Sequence, residues 1–131
     1  MTHEIIFRGK RIDNGEWVKG FYVCIPDTHY IMTGKFDSLT NGIINSEAYH
    51  VDFSTVGRFT GLTDRNGVKI FEGDIVCYED EIGVIKYDMG DARFIAKFNG
   101  WVGNFADMAG DWFEIIGSIY DNPELFDGRE T

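Results

Sequence analysis

The sequence predicts a mainly β protein. A small SH3-like barrel occupies the C-terminal half, an N-terminal elaboration of hairpins and strands precedes it, and a short helical turn closes the chain. Three observations carry this. Apolar runs are short and helical periodicity is nearly absent. Gly supplies 16 of the 131 residues against 2 Pro, and Asn-Gly pairs recur between the runs. Aromatic residues make up 15%, 11 of them Phe, which suits short strands around a thin, ring-filled core.

Taken in order, Ile5-Ile6-Phe7 reads as a first strand. Asn14-Gly15 follows as a type I′ hairpin signal, because that turn needs positive φ at both central residues. A strand over 17–25 comes next, with Gly20 marking a bulge or a close packing contact. Segments 30–36 and 42–44 are strands around Asn41-Gly42, and 51–59 reads either as extended chain or as holding a single helical turn that begins at Ser54-Thr55. Two strands flank Asn66-Gly67. The run Phe71-Glu72-Gly73-Asp74-Ile75-Val76 has the form of a sharp corner feeding the first long strand of an SH3-like barrel. Strands over 82–87, 93–98 and 112–120 complete the set, with 99–110 as a loop. Closing such a set into a barrel removes exposed sheet edges. Asn122 then caps a helical turn with Pro123 in its first position and Leu125 and Phe126 packing down. The chain is expected to be one domain over 1–131, about 1–55 the elaboration and about 56–126 the barrel.

The net charge is -10, from 22 acidic and 12 basic residues, which disfavours non-specific binding to phosphate backbones. Basic residues lean toward the first half (Arg8, Lys10, Arg11, Lys19, Lys35, Arg58), while acids crowd 72–91 and 107–130. Cys24 and Cys77 each lie within an apolar stretch and read as small buried hydrophobes. With no signal-like leader and no apolar run long enough for a membrane span, the expected location is the cytoplasm, with no membrane partner.

No catalytic, cofactor-binding or metal-binding residues are assigned. His3, His29 and His50 show no ligand spacing, and neither Cys-x-x-Cys nor His-x-x-x-His occurs. Asp64-Arg65-Asn66-Gly67 overlaps a calcium-loop pattern but fails it, since Leu62 falls at the first ligand position and Gly73 where a Glu is required. Phosphate-cradling glycine loops and a Gly-x-Ser-x-Gly elbow are absent. Glu79-Asp80-Glu81 is the densest carboxylate cluster and reads as a loop between strands. Most of Phe7, Trp17, Phe21, Phe94, Phe98, Trp101, Trp112 and Phe113 are needed as core.

The opening Ile6-Phe7-Arg8-Gly9-Lys10-Arg11 and Gly15-Glu16-Trp17-Val18-Lys19-Gly20-Phe21-Tyr22 resemble the YopX family of phage and prophage proteins. So do the continuous segment 56–67, the block 70–76, and the close Ile116-Gly117-Ser118-Ile119-Tyr120-Asp121-Asn122-Pro123-Glu124-Leu125. The similarity runs over about 5–125, is most specific over 56–76, and lapses over 26–52 and 99–110. The resemblance implies a phage or prophage origin, a predominantly β fold with an SH3-like barrel, and no catalytic residues to carry over. The expected function is a non-enzymatic protein-binding module acting in the bacterial host, its partner a host or phage protein or a second copy of itself. Two alternatives stand beside it. One is nucleic-acid binding through a basic patch of Arg8, Lys10, Arg11 and Lys19. The other is an enzyme drawing on Asp74 or Glu79-Asp80-Glu81.

Overall fold

The structure is a computed structural model that describes residues 5–37, 39, 42–105 and 112–126, without the side chains of 35–37 and 42–46. It is mainly β, with ten strands and a single 3-10 turn among those residues. The chain divides into two compact units, 1–58 and 59–131.

The first unit contains β1 (Phe7–Arg11), β2 (Trp17–Ile25), β3 (Thr28–Asp37) and most of β4 (Gly42–Thr63), paired antiparallel in chain order. A further pairing joins β1 to residues 51–58 of β4, so β1 is hydrogen-bonded on both sides and offers no free edge. Strand β1 begins at Phe7, two residues after the sequence expectation. Its hairpin to β2 is not type I′. Only Gly15 has positive φ, at 73°, and its N–H donates to the Arg11 carbonyl, while Asn14 Oδ1 accepts from the Glu16 N–H. Asn41 lies outside the described residues.

No helical turn forms at Ser54-Thr55, because β4 runs through it as a strand. The pairing register slips there instead: Lys10 faces Asp52 while Arg8 faces Gly57. Thr55 fills the gap, its hydroxyl accepting from the Lys10 N–H at 2.8 Å and donating to the Asp52 carbonyl. A β-branched, hydroxyl-bearing residue satisfies a bulged ladder that a helix would break.

In the second unit the end of β4 pairs with β5 (Lys69–Phe71). The antiparallel sheet β10-β6-β7-β8-β9 comprises β6 (Asp74–Tyr78), β7 (Glu81–Asp88), β8 (Arg93–Phe98), β9 (Trp101–Asn104) and β10 (Glu114–Ser118). Strand β9 occupies part of the segment expected as a loop, and β10 is shorter than expected. Its outermost strands, β10 and β9, are not paired with each other among the described residues, so the expected barrel is not seen as closed. Ile70, Val76, Ile85, Ala96, Phe98, Phe105 and Phe113 form the core, with Tyr78, Phe94 and Ile115 packed against it.

Corners follow side-chain chemistry. Gly73 has φ 93°, its N–H donates to Ile85 and its carbonyl accepts from Ile119. Asn122 does not cap the 3-10 turn Pro123–Leu125; its Oδ1 accepts from the Ser118 N–H instead. Phe126 is half-buried, but Leu125 stays exposed rather than packing down.

Among the described residues, the one two-residue turn with both φ positive lies between β6 and β7, at Glu79 (φ 48°) and Asp80 (φ 71°), with Tyr78 facing Glu81. That is type I′ geometry held by residues that disfavour it. The double substitution Glu79→Asn with Asp80→Gly, which installs the pair this turn prefers, is expected to raise stability by about 1 kcal/mol. A urea midpoint that stays level or falls counts against this turn assignment.

Candidate functional site

Alternation along β2, β3 and β4 sorts their side chains onto two faces. Ile31 and Val51 are buried on one. The other carries Phe21, Val23 and Ile25 from β2, Tyr30 and Met32 from β3, and Ala48 from β4. Phe21 faces Met32, Val23 faces Tyr30, and Met32 faces Ala48. Phe21 and Ile25 remain 52% and 61% exposed. Two shallow depressions meet at Met32. One, of about 380 Å³, is lined by Val23, Ile25, Tyr30, Met32 and Ala48; the other, of about 260 Å³, includes Ile5, Phe21 and Met32.

Toward β1 the same face turns cationic. Arg8 faces Lys19 and Lys10 faces Trp17. The Arg8 guanidinium lies 4.3 Å from the centre of the Trp17 ring and the Lys10 ammonium 5.4 Å from it. Arg11 alternates onto the opposite face, where it stacks on Tyr49 and pairs with Asp13 at 2.7 Å. The Asp13 hydrogen bond holds the guanidinium above its ordinary pKa, and the same bond holds the Asp13 carboxyl below its own. The patch expected from four basic residues therefore assembles three of them, with Arg8 itself buried.

The remaining candidates have structural surroundings. Asp74 is buried, and its Oδ2 accepts from the Phe71 N–H at 2.8 Å, which braces the corner before β6. Glu79 and Asp80 form the hairpin turn, while Glu81 accepts from Trp101 Nε1. His29 stacks on Phe53 at 4.3 Å and bonds the Tyr22 hydroxyl, whose pKa is raised by burial. His50 lies against Tyr30, and His3 is outside the described residues. Cys77 is half-buried, but Cys24 is exposed rather than buried, and neither forms a disulfide. Among the described residues no three His, Cys, Asp or Glu side chains are grouped to hold a metal, and no helix is long and apolar enough to cross a membrane.

Of the rings weighed as core, Phe98 and Phe113 are buried, whereas Phe21, Trp101 and Trp112 reach solvent. Sequence reading did not find the apolar outer face. In Phe21-Tyr22-Val23-Cys24-Ile25 both alternating sets are apolar, so the pattern does not say which one faces out.

A family model described as YopX protein matches residues 6–127. The chain belongs to the YopX family. This agrees with the likeness seen in the sequence. A search of curated proteins finds no significant match. Among solved structures, this YopX chain is similar to protein EF1440 from Enterococcus faecalis, with 26% identity and a TM-score of 0.55. That similarity covers 95% of this chain and 99% of the other.

Proposed function

We propose that this YopX protein is a non-enzymatic protein-binding module of phage or prophage origin, acting in the cytoplasm of the bacterial host. The observation that carries the reading is the contiguous apolar outer face of Phe21, Val23, Ile25, Tyr30 and Met32. Wet apolar surface of this kind on an otherwise acidic chain marks a place where a partner excludes water. Phe21 and Ile25, each still a little over half exposed, gain about 1–2 kcal/mol apiece on burial, so a few such side chains dominate the contact. Family membership supports the phage origin. The strand order β10-β6-β7-β8-β9 supports an SH3-like arrangement of the second unit, an architecture that serves many unrelated binding roles. The bracing of Asp74 and the turn role of Glu79 and Asp80 favour binding over catalysis.

The test is photo-crosslinking in host cells, with benzoylphenylalanine replacing Phe21 or Ile25 and, as control, Lys86 on β7. One adduct of common mass is expected at 21 and 25 and not at 86. Met32→Glu should abolish it, because a carboxylate between the two depressions would be buried without a partner. No adduct at either position overturns the reading. Sedimentation velocity distinguishes a second copy of the chain from another protein.

A further inference from the structure

Residues 59–131 carry 15 acidic and 6 basic residues, against 7 and 6 in 1–58, so the negative charge sits almost wholly on the second unit. The pairing register brings the turns after Tyr78 and Phe98 and the start of β10 to one end of its sheet. There Trp101 and Trp112 meet the Tyr78 ring at 6.4 and 6.3 Å, with interplanar angles of 63° and 62°. Each tryptophan plane is steeply inclined to the Tyr78 ring rather than stacked on it, and the three rings together make up the ring corner. Phe98 covers one face of Trp101 at 4.4 Å, and Trp101 and Trp112 remain 37% and 56% exposed. Glu81 holds the Trp101 indole N–H at 2.7 Å, which places a carboxylate at the edge of the rings, and Glu79, Asp80 and Glu114 are exposed at the same end of the sheet.

We infer that this corner receives the cationic side chain of a basic peptide segment in a partner protein. Aromatic faces attract a guanidinium or ammonium through the ring quadrupole, and the adjoining carboxylates add direct attraction. An anionic or purely apolar occupant would leave those carboxylates uncompensated. Trp17 shows the same chemistry within the chain, between Arg8 and Lys10, but its ring is already engaged. The corner belongs to the second unit, so its failure would leave the apolar-face reading standing.

The test is titration of the intact protein with an acetylated, amidated tetra-arginine peptide, against a tetra-citrulline peptide of the same shape without charge. Saturable binding is expected for the first and none for the second. Trp112→Ala should weaken binding roughly tenfold, and its exposed ring leaves the fold intact by circular dichroism. Glu81→Gln keeps an acceptor for Trp101 and should weaken binding about threefold. Asp91→Asn removes the same charge at the far end of the sheet and should change affinity less than about twofold. Equal binding of citrulline, no effect of Trp112→Ala, or an equal loss from Asp91→Asn and Glu81→Gln each overturns the proposal.

Discussion

Asp64→Ala should cost this YopX protein about 3–4 kcal/mol, because one buried carboxylate accepts from three backbone N–H groups and ties its own turn to a distant strand. Its Oδ1 accepts from the N–H groups of Asn66 and Val68, both at 2.9 Å, and its Oδ2 accepts from Ile115 on β10 at 3.0 Å. Its own carbonyl accepts from Gly67, whose φ of 81° completes the turn. Burial by itself pushes the carboxyl up from its ordinary value of 3.8, but the donors from Ile115, Val68 and Asn66 outweigh that, with Arg65 adding a little. The folded value therefore lies below the unfolded one. The stabilisation is complete above the unfolded value and is lost as pH falls through the folded value. Urea midpoints should drop in acid for the parent protein and flatten in Asp64→Asn. The Asn variant keeps the turn acceptor but sets an amide donor against the Ile115 N–H, for a cost of about 2 kcal/mol at neutral pH. A neutral-pH loss below about 1 kcal/mol for Asp64→Ala would remove the carboxylate from its assigned role.

The same residue shows where sequence reading stops. Asn66-Gly67 locates the turn, and the calcium-loop comparison draws attention to Asp64 without saying what it binds. The decisive partner, Ile115, lies 51 residues away and leaves no local trace. Strands were legible where apolar runs were bounded by Gly, as in β8, found at its observed limits. They were missed where turn chemistry broke its own rule. Glu79-Asp80 adopts the geometry that Asn-Gly prefers, while Asn14-Gly15 does not adopt it. Strand β9 was hidden because Trp101-Val102-Gly103-Asn104 is four residues long and holds a Gly. For the candidate sites, composition identified Arg8, Lys10, Arg11 and Lys19, but only the strand register separates Arg11 from the rest. The ring corner needs three chain segments, 78–81, 98–101 and 112–114, brought together by pairing, so no single window of sequence contains it.

Gly20→Ala is the second substitution expected to act strongly, with a loss of about 3 kcal/mol. Of the two readings of this glycine, bulge or close contact, the structure favours the contact. A Cβ built there would sit 2.1 Å from the Met32 carbonyl oxygen and 2.9 Å from its carbon. Non-bonded heavy atoms settle near roughly 3.5 Å, and a backbone carbonyl has no rotamer through which to withdraw. Strands β2 and β3 would have to part where Phe21 faces Met32. Gly15→Ala provides the contrast, since a Cβ there meets nothing within 4 Å and its cost is confined to the positive φ of 73°. That cost is about 1 kcal/mol. Hydrogen exchange should therefore show loss of protection across β2 and β3 in Gly20→Ala, and near-parental protection there in Gly15→Ala. If Gly15→Ala proved the more damaging of the two, contact with the Met32 carbonyl would not be what demands glycine at position 20. The spacing of the apolar outer face would then need another cause.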